Sequence, residues 1–71
     1  MLGVVSSRIA GEFEGWEGET QFVLENGQIW QQVGWDFYSG YAMRPRVSIV
    51  AGVMTIEGVP KSVRVRPIEN Y

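Results

Sequence analysis

Apolar residues in this chain recur at every second position, with glycines between the runs, and no segment of useful length repeats them at helical spacing. A period of two belongs to strands with one buried face, because successive side chains of a strand point to opposite sides. The first such run extends from about Val5 to Phe13, with Ile9 and Phe13 apolar and Arg8, Glu12 and Glu14 polar. Gly15-Trp16-Glu17-Gly18-Glu19-Thr20 then reads as a loop or bend. Gly11, Gly15 and Gly18 are placed to supply bulges and sharp corners. Trp16, between two of them, is expected to fold back over the core.

Two hairpins follow from turn chemistry. Asn26-Gly27 lies between the alternating runs Gln21–Glu25 and Gln28–Gln32, and a type I′ turn there needs positive φ at both residues. That turn sets Leu24 opposite Ile29 and Val23 opposite Trp30. Phe22, Leu24, Ile29 and Val33 then face the core, and Trp30 joins Val23 and Gln32 on the polar side. The second hairpin turns at Ala51-Gly52 and pairs Ile49 with Met54, Val47 with Ile56 and Ser48 with Thr55. Pattern and turn agree on that register. Alanine is uncommon in such a turn, so a longer loop is the alternative. Val63 and Val65 alternate with Arg64 and Arg66 in a last short strand, which Pro67 ends or places at an edge.

Between the hairpins, Gly34 to Pro45 reads as a long loop rich in aromatics. Loops of about a dozen residues in small domains are usually functional or packed on themselves. Trp35, Phe37, Tyr38 and Tyr41, with Arg44 and Arg46, belong to the residue types that dominate binding hot spots. They are the leading candidates for contact with a ligand or partner, and Trp30 on its polar face joins them. The competing reading makes the loop a lid that closes one mouth of the fold.

Seventy-one residues fill one domain, residues 1–71, and leave no room for a second. The chain has no cysteine and no histidine, which removes disulfides, thiolate metal sites and the commonest general base. No cofactor or metal is expected. The serines have no histidine to activate them, and the glutamates at 12, 14, 17 and 19 read as surface charge. No signal-peptide pattern or apolar run of membrane-spanning length is present, so the expectation is a cytoplasmic protein without membrane contact. The net charge of −2 hides an asymmetry. Residues 1–36 hold Glu12, Glu14, Glu17, Glu19, Glu25 and Asp36 against Arg8, whereas residues 37–71 hold Arg44, Arg46, Lys61, Arg64 and Arg66 against Glu57 and Glu69. An acidic chain with scattered cations is a poor candidate for binding nucleic acid.

Ile9, Gly11, Phe13, Gly15-Trp16, Gly18 and Thr20, followed by Phe22, Leu24 and Asn26-Gly27-Gln28-Ile29-Trp30-Gln31-Gln32, form a joint motif that ends at Arg44-Pro45. In these positions the chain resembles a family of small bacterial proteins, some encoded on mobile, integron-type gene cassettes. The resemblance covers most of the chain and implies a single five-stranded SH3-like barrel, with no particular activity. The type II dihydrofolate reductases are short SH3-like barrels too, and their last strand presents Val-Gln-Ile-Tyr to substrate and cofactor. Val63-Arg64-Val65-Arg66 keeps the two apolar positions of that motif and replaces both others with arginine. That enzyme is therefore a remote alternative. The expected function is a binding or adaptor module for a protein, peptide or small ligand, or else a self-associating domain whose aromatics join copies of the chain.

Overall fold

The computed structural model describes residues 3–68, and the domain expected over 1–71 is described across that span. Each alternating run forms strand, and the described residues contain no helix. The strands are β1 (Val5–Arg8), β2 (Glu12–Glu17), β3 (Gln21–Val23), β4 (Ile29–Gln32), β5 (Phe37–Met43), β6 (Arg46–Val50), β7 (Val53–Ile56) and β8 (Ser62–Ile68). The expected count of five thus becomes eight short strands among the described residues. Part of the difference comes from bends. The run from Val5 to Phe13 breaks between Ile9 and Gly11, where Gly11 takes a φ of 87°. Arg44, at a φ of 47°, and Pro45 separate β5 from β6 in the same way.

Six strands form one antiparallel sheet in the order β1-β6-β7-β8-β4-β3, and β2 with β5 forms a separate two-stranded ribbon. The sheet curls until its edge strands touch. Ile9 bridges Leu24, Ala10 N–H donates to the Val23 carbonyl at 2.8 Å, and Glu25 N–H to the Arg8 carbonyl at 2.8 Å. Inward residues from nearly every strand fill the interior, among them Ile9, Phe13, Leu24, Ile49, Met54 and Val63. Trp16 lies within it, 2% exposed, as expected.

The β6–β7 hairpin has the expected register, Val47 to Ile56, Ser48 to Thr55 and Ile49 to Met54. Ala51 and Gly52 both have positive φ, 51° and 77°, as a two-residue type I′ turn requires. The β3–β4 hairpin differs from expectation by one residue. Phe22 lies opposite Trp30 and Val23 opposite Ile29. Leu24 N–H donates to the Gln28 carbonyl and Gly27 N–H to the Leu24 carbonyl, which makes a three-residue loop with Gly27 as its bulge, at a φ of 92°. Asn26 keeps a negative φ and accepts the Gln28 N–H on its side-chain oxygen at 2.9 Å.

One residue of slip turns every side chain of a strand to the other face. Trp30 therefore packs against the core rather than standing on the polar side, Gln32 is buried, and Val33 is exposed. Ile29 likewise lies outside the core. Pro67 does not end β8, which runs on to Ile68, but lies on a stretch of it that pairs on one side only, a local edge. From Val65 to Ile68 the ladder partners of β8 are on β4, while its β7 pairing spans Ser62 to Arg64, so a missing N–H at Pro67 breaks no β7 bond. No described helix is long and apolar enough to cross a membrane.

Candidate functional site

The expected aromatic loop is mostly strand. Residues 37–43 pair with β2, from Phe37 opposite Glu17 to Met43 opposite Glu12, with a bulge between Phe13 and Gly15. Strand alternation then divides the candidates. Tyr38, Gly40 and Ala42 are partly buried and point inward. Phe37, Ser39, Tyr41 and Met43 point outward, and Trp35, just before the strand, is exposed as well.

The inward set is structural. Tyr38 stacks 6.4 Å from Phe13 and 5.1 Å from Trp16, centroid to centroid, and its ring covers Gly40. Trp16 in turn meets Phe22 edge-on at 6.5 Å. Asp36 accepts the Trp16 indole N–H at 3.2 Å and pairs with Lys61 at 3.1 Å. The Lys61 hydrogen bond, followed by that of Trp16, holds the Asp36 carboxyl below its ordinary 3.8. Buried Gln32 ties this corner together. Its Oε1 accepts Gly18 N–H and its Nε2 donates to the Asp36 carbonyl, each at 2.8 Å.

The outward set forms a row. Trp35 is 80% exposed, Phe37 63%, Tyr41 65% and Met43 58%. From Phe37 to Met43 the row runs about 20 Å along β5. The Trp35 ring lies over Gly18, where an added Cβ would come within 2.7 Å of it. Beside the row, on β2, stand the exposed residues Glu12, Glu14 and Glu17. Met43 had no special mark in the sequence, because only the pairing of β5 with β2 brings it into line with the aromatics.

The remaining candidates lie elsewhere. Trp30 donates its indole N–H to the Gln28 side-chain oxygen at 3.0 Å. Arg44 forms a two-pronged ion pair with Glu25 at the β5–β6 bend, and Arg8 caps its carbonyl at 2.7 Å. The Arg44 hydrogen bond holds the Glu25 carboxyl below its ordinary 4.5. Arg46 stands beyond the bend, near Ser6, Ser7 and Arg8 around a smaller hollow of about 320 Å³. Of the seven candidates, Trp35, Phe37 and Tyr41 therefore share one surface. Among the described residues no group of three His, Cys, Asp or Glu side chains is placed to hold a metal ion.

No protein-family model, curated protein or solved structure matches the chain.

Proposed function

We propose that the chain is a non-catalytic binding module that contacts a protein or peptide partner through the outer face of the β2–β5 ribbon. The observation behind this reading is the set Trp35, Phe37, Tyr41 and Met43, four large exposed side chains, three of them on the outer face of β5 and Trp35 two residues before that strand. Water-exposed apolar rows of this kind mark interaction surfaces, and tryptophan and tyrosine bury large area at low entropic cost. The core is complete without them, since Tyr38 and Trp16 already fill the interior beneath the ribbon. An SH3-like barrel belongs to the same proposal. If the bent pairs β1–β2 and β5–β6 each count as one strand, the eight become six around one core, close to that architecture.

The test uses the domain and a Trp35→Ser, Phe37→Ser, Tyr41→Ser variant as baits for a displayed peptide library. The variant should keep its strand circular dichroism and lose the peptides that the unmodified domain enriches. Equal enrichment by both would overturn the proposal. A second reading, self-association, is favoured by the outer edge of β5, to which no described strand is paired. Sedimentation at several concentrations separates the two. Under the second reading the unmodified chain forms a dimer or larger assembly and the variant a monomer.

A further inference from the structure

The loop from β2 to β3 is a tight turn, yet the two strands it joins do not pair. Glu17 N–H donates to the Thr20 hydroxyl at 3.1 Å at one end, and Ala10 N–H to the Val23 carbonyl at 2.8 Å at the other. Between these ends the strands bow apart around a groove of about 610 Å³, within the usual range of about 300–1,000 Å³ for ligand sites. Its floor lies over Phe13, Trp16 and Phe22, each at most 4% exposed. The rings of the floor are thus already covered, and the groove offers backbone and charge beside the exposed side chains of Val23 and Phe37.

The backbone it offers is the outer edge of β3. Leu24 N–H donates to Gln28 and the Thr20 carbonyl accepts from Gln32, so Phe22 between them exchanges both its bonds with Trp30. Antiparallel alternation then turns the N–H and C=O of Gln21, and the N–H of Val23, away from β4 and toward the groove. Such an edge is a template for one more strand. The charge comes from Glu12, Glu14 and Glu17, which line the groove from the β2 side. The ion pairs among the described residues use Glu25 and Asp36, and none uses these three.

We infer that this groove takes an extended peptide segment bearing lysine or arginine at alternate positions, added as a short strand to the edge of β3. The inference does not depend on the outer face of the ribbon being a contact surface. An edge of unpaired amides and carbonyls selects an extended backbone. Three unpaired carboxylates along the opposite wall select cationic side chains and reject acidic ones.

The probe is acetyl-Lys-Val-Lys-Val-Lys-amide, titrated at low ionic strength against the ¹⁵N-labelled domain. The amides of Gln21 and Val23 should shift and exchange more slowly with solvent. The Glu12→Gln, Glu14→Gln, Glu17→Gln variant should bind about tenfold more weakly, as three exposed ion pairs imply. A probe methylated on its backbone nitrogens should lose binding, as should the Glu-Val-Glu-Val-Glu counterpart. The Trp35→Ser, Tyr41→Ser variant, whose changed residues lie outside the groove lining, should bind the probe as the unmodified domain does, which separates this inference from the proposed function. No shift at millimolar probe, equal binding of the acidic or methylated peptide, an unaffected glutamine variant, or shifts confined to Trp35 and Tyr41–Met43 would each overturn it.

Discussion

Trp16 and Asp36 join the centre of the core to its surface, through a hydrogen bond of 3.2 Å from the indole N–H to the carboxylate. The same carboxylate accepts from Lys61, so two donors favour its ionised form and its pKa lies below 3.8. A group depressed on folding contributes stability that is fully present above its unfolded pKa and lost as pH falls through the folded one. The Trp16 indole N–H resonance should therefore titrate with a midpoint below 3.8, and the Asp36→Asn variant should show no such step. The same variant should have a flatter loss of melting temperature in acid. A midpoint at or above 3.8 would contradict the arrangement.

Gly15 is required by a neighbour as well as by its own backbone. Its φ is 110°, and an added Cβ would lie 2.0 Å from the Tyr38 carbonyl oxygen on the paired strand. Backbone cannot yield as a flexible side chain does. Gly15→Ala should therefore cost at least about 2 kcal/mol, or prevent folding. Gly11 has a similar φ of 87° with nothing within 4 Å, so Gly11→Ala should cost only about 1 kcal/mol. Chemical denaturation of both variants checks the contrast, and equal losses would refute it.

Gln32 is 2% exposed and satisfies two backbone groups, Gly18 N–H and the Asp36 carbonyl. Replacing it with leucine keeps the volume roughly constant and adds apolar surface, yet leaves both partners without their bond. The cost of an unsatisfied buried group, about 1–3 kcal/mol, exceeds what the extra methyl groups return. Gln32→Leu should thus destabilise by about 2 kcal/mol in urea unfolding. A neutral or stabilised variant would show that water reaches this corner.

The contrast between the two hairpins shows what alternation can and cannot reveal. Around Ala51-Gly52 the only register that pairs Ile49 with Met54 also closes a two-residue turn, so pattern and turn fix each other. Around Asn26-Gly27 a two-residue turn needs positive φ at both residues and a three-residue loop needs it at Gly27 alone, and the choice decides whether Gln32 or Val33 enters the core. Both runs end in polar residues, so the pattern alone does not choose. Strand β5 was hidden for another reason. Its inward positions are Tyr38, Gly40 and Ala42, and its outward ones Phe37, Ser39, Tyr41 and Met43. The period of two is present, but the larger apolar residues lie mostly outside, so the contrast that marks a half-buried strand is inverted. The same inversion creates the candidate binding face.

The turn chemistry of these hairpins leads to opposite effects of substitution. Ala51 occupies a φ of 51°, which costs an alanine roughly 1 kcal/mol and asparagine less. Ala51→Asn should raise stability by about 0.5 kcal/mol or more. Gly27→Val should lower it by more than about 1 kcal/mol, because a β-branched residue does not accept a φ of 92° cheaply. Thermal melts of the two single variants measure both signs, and a shift of Ala51→Asn to lower temperature would disprove the type I′ turn.

Tyr38 and Trp35 separate core from contact surface within one short segment. Tyr38 packs on Phe13 and Trp16 beneath the ribbon, whereas Trp35 is 80% exposed and lies over the Gly18 backbone. Truncating a packed aromatic costs about 3 kcal/mol or more, a large share of the 5–15 kcal/mol that holds a small domain folded. Truncating an exposed one costs less than about 1 kcal/mol. Tyr38→Ala should therefore lose most of its folded population or melt far below the unmodified chain. Trp35→Ala should melt within a few degrees of the unmodified chain and still lose contact with a partner of the ribbon face. Circular dichroism and a binding assay on each single variant test this division. A stable Tyr38→Ala would move Tyr38 to the contact surface, and an unfolded Trp35→Ala would make Trp35 part of the lid on the core.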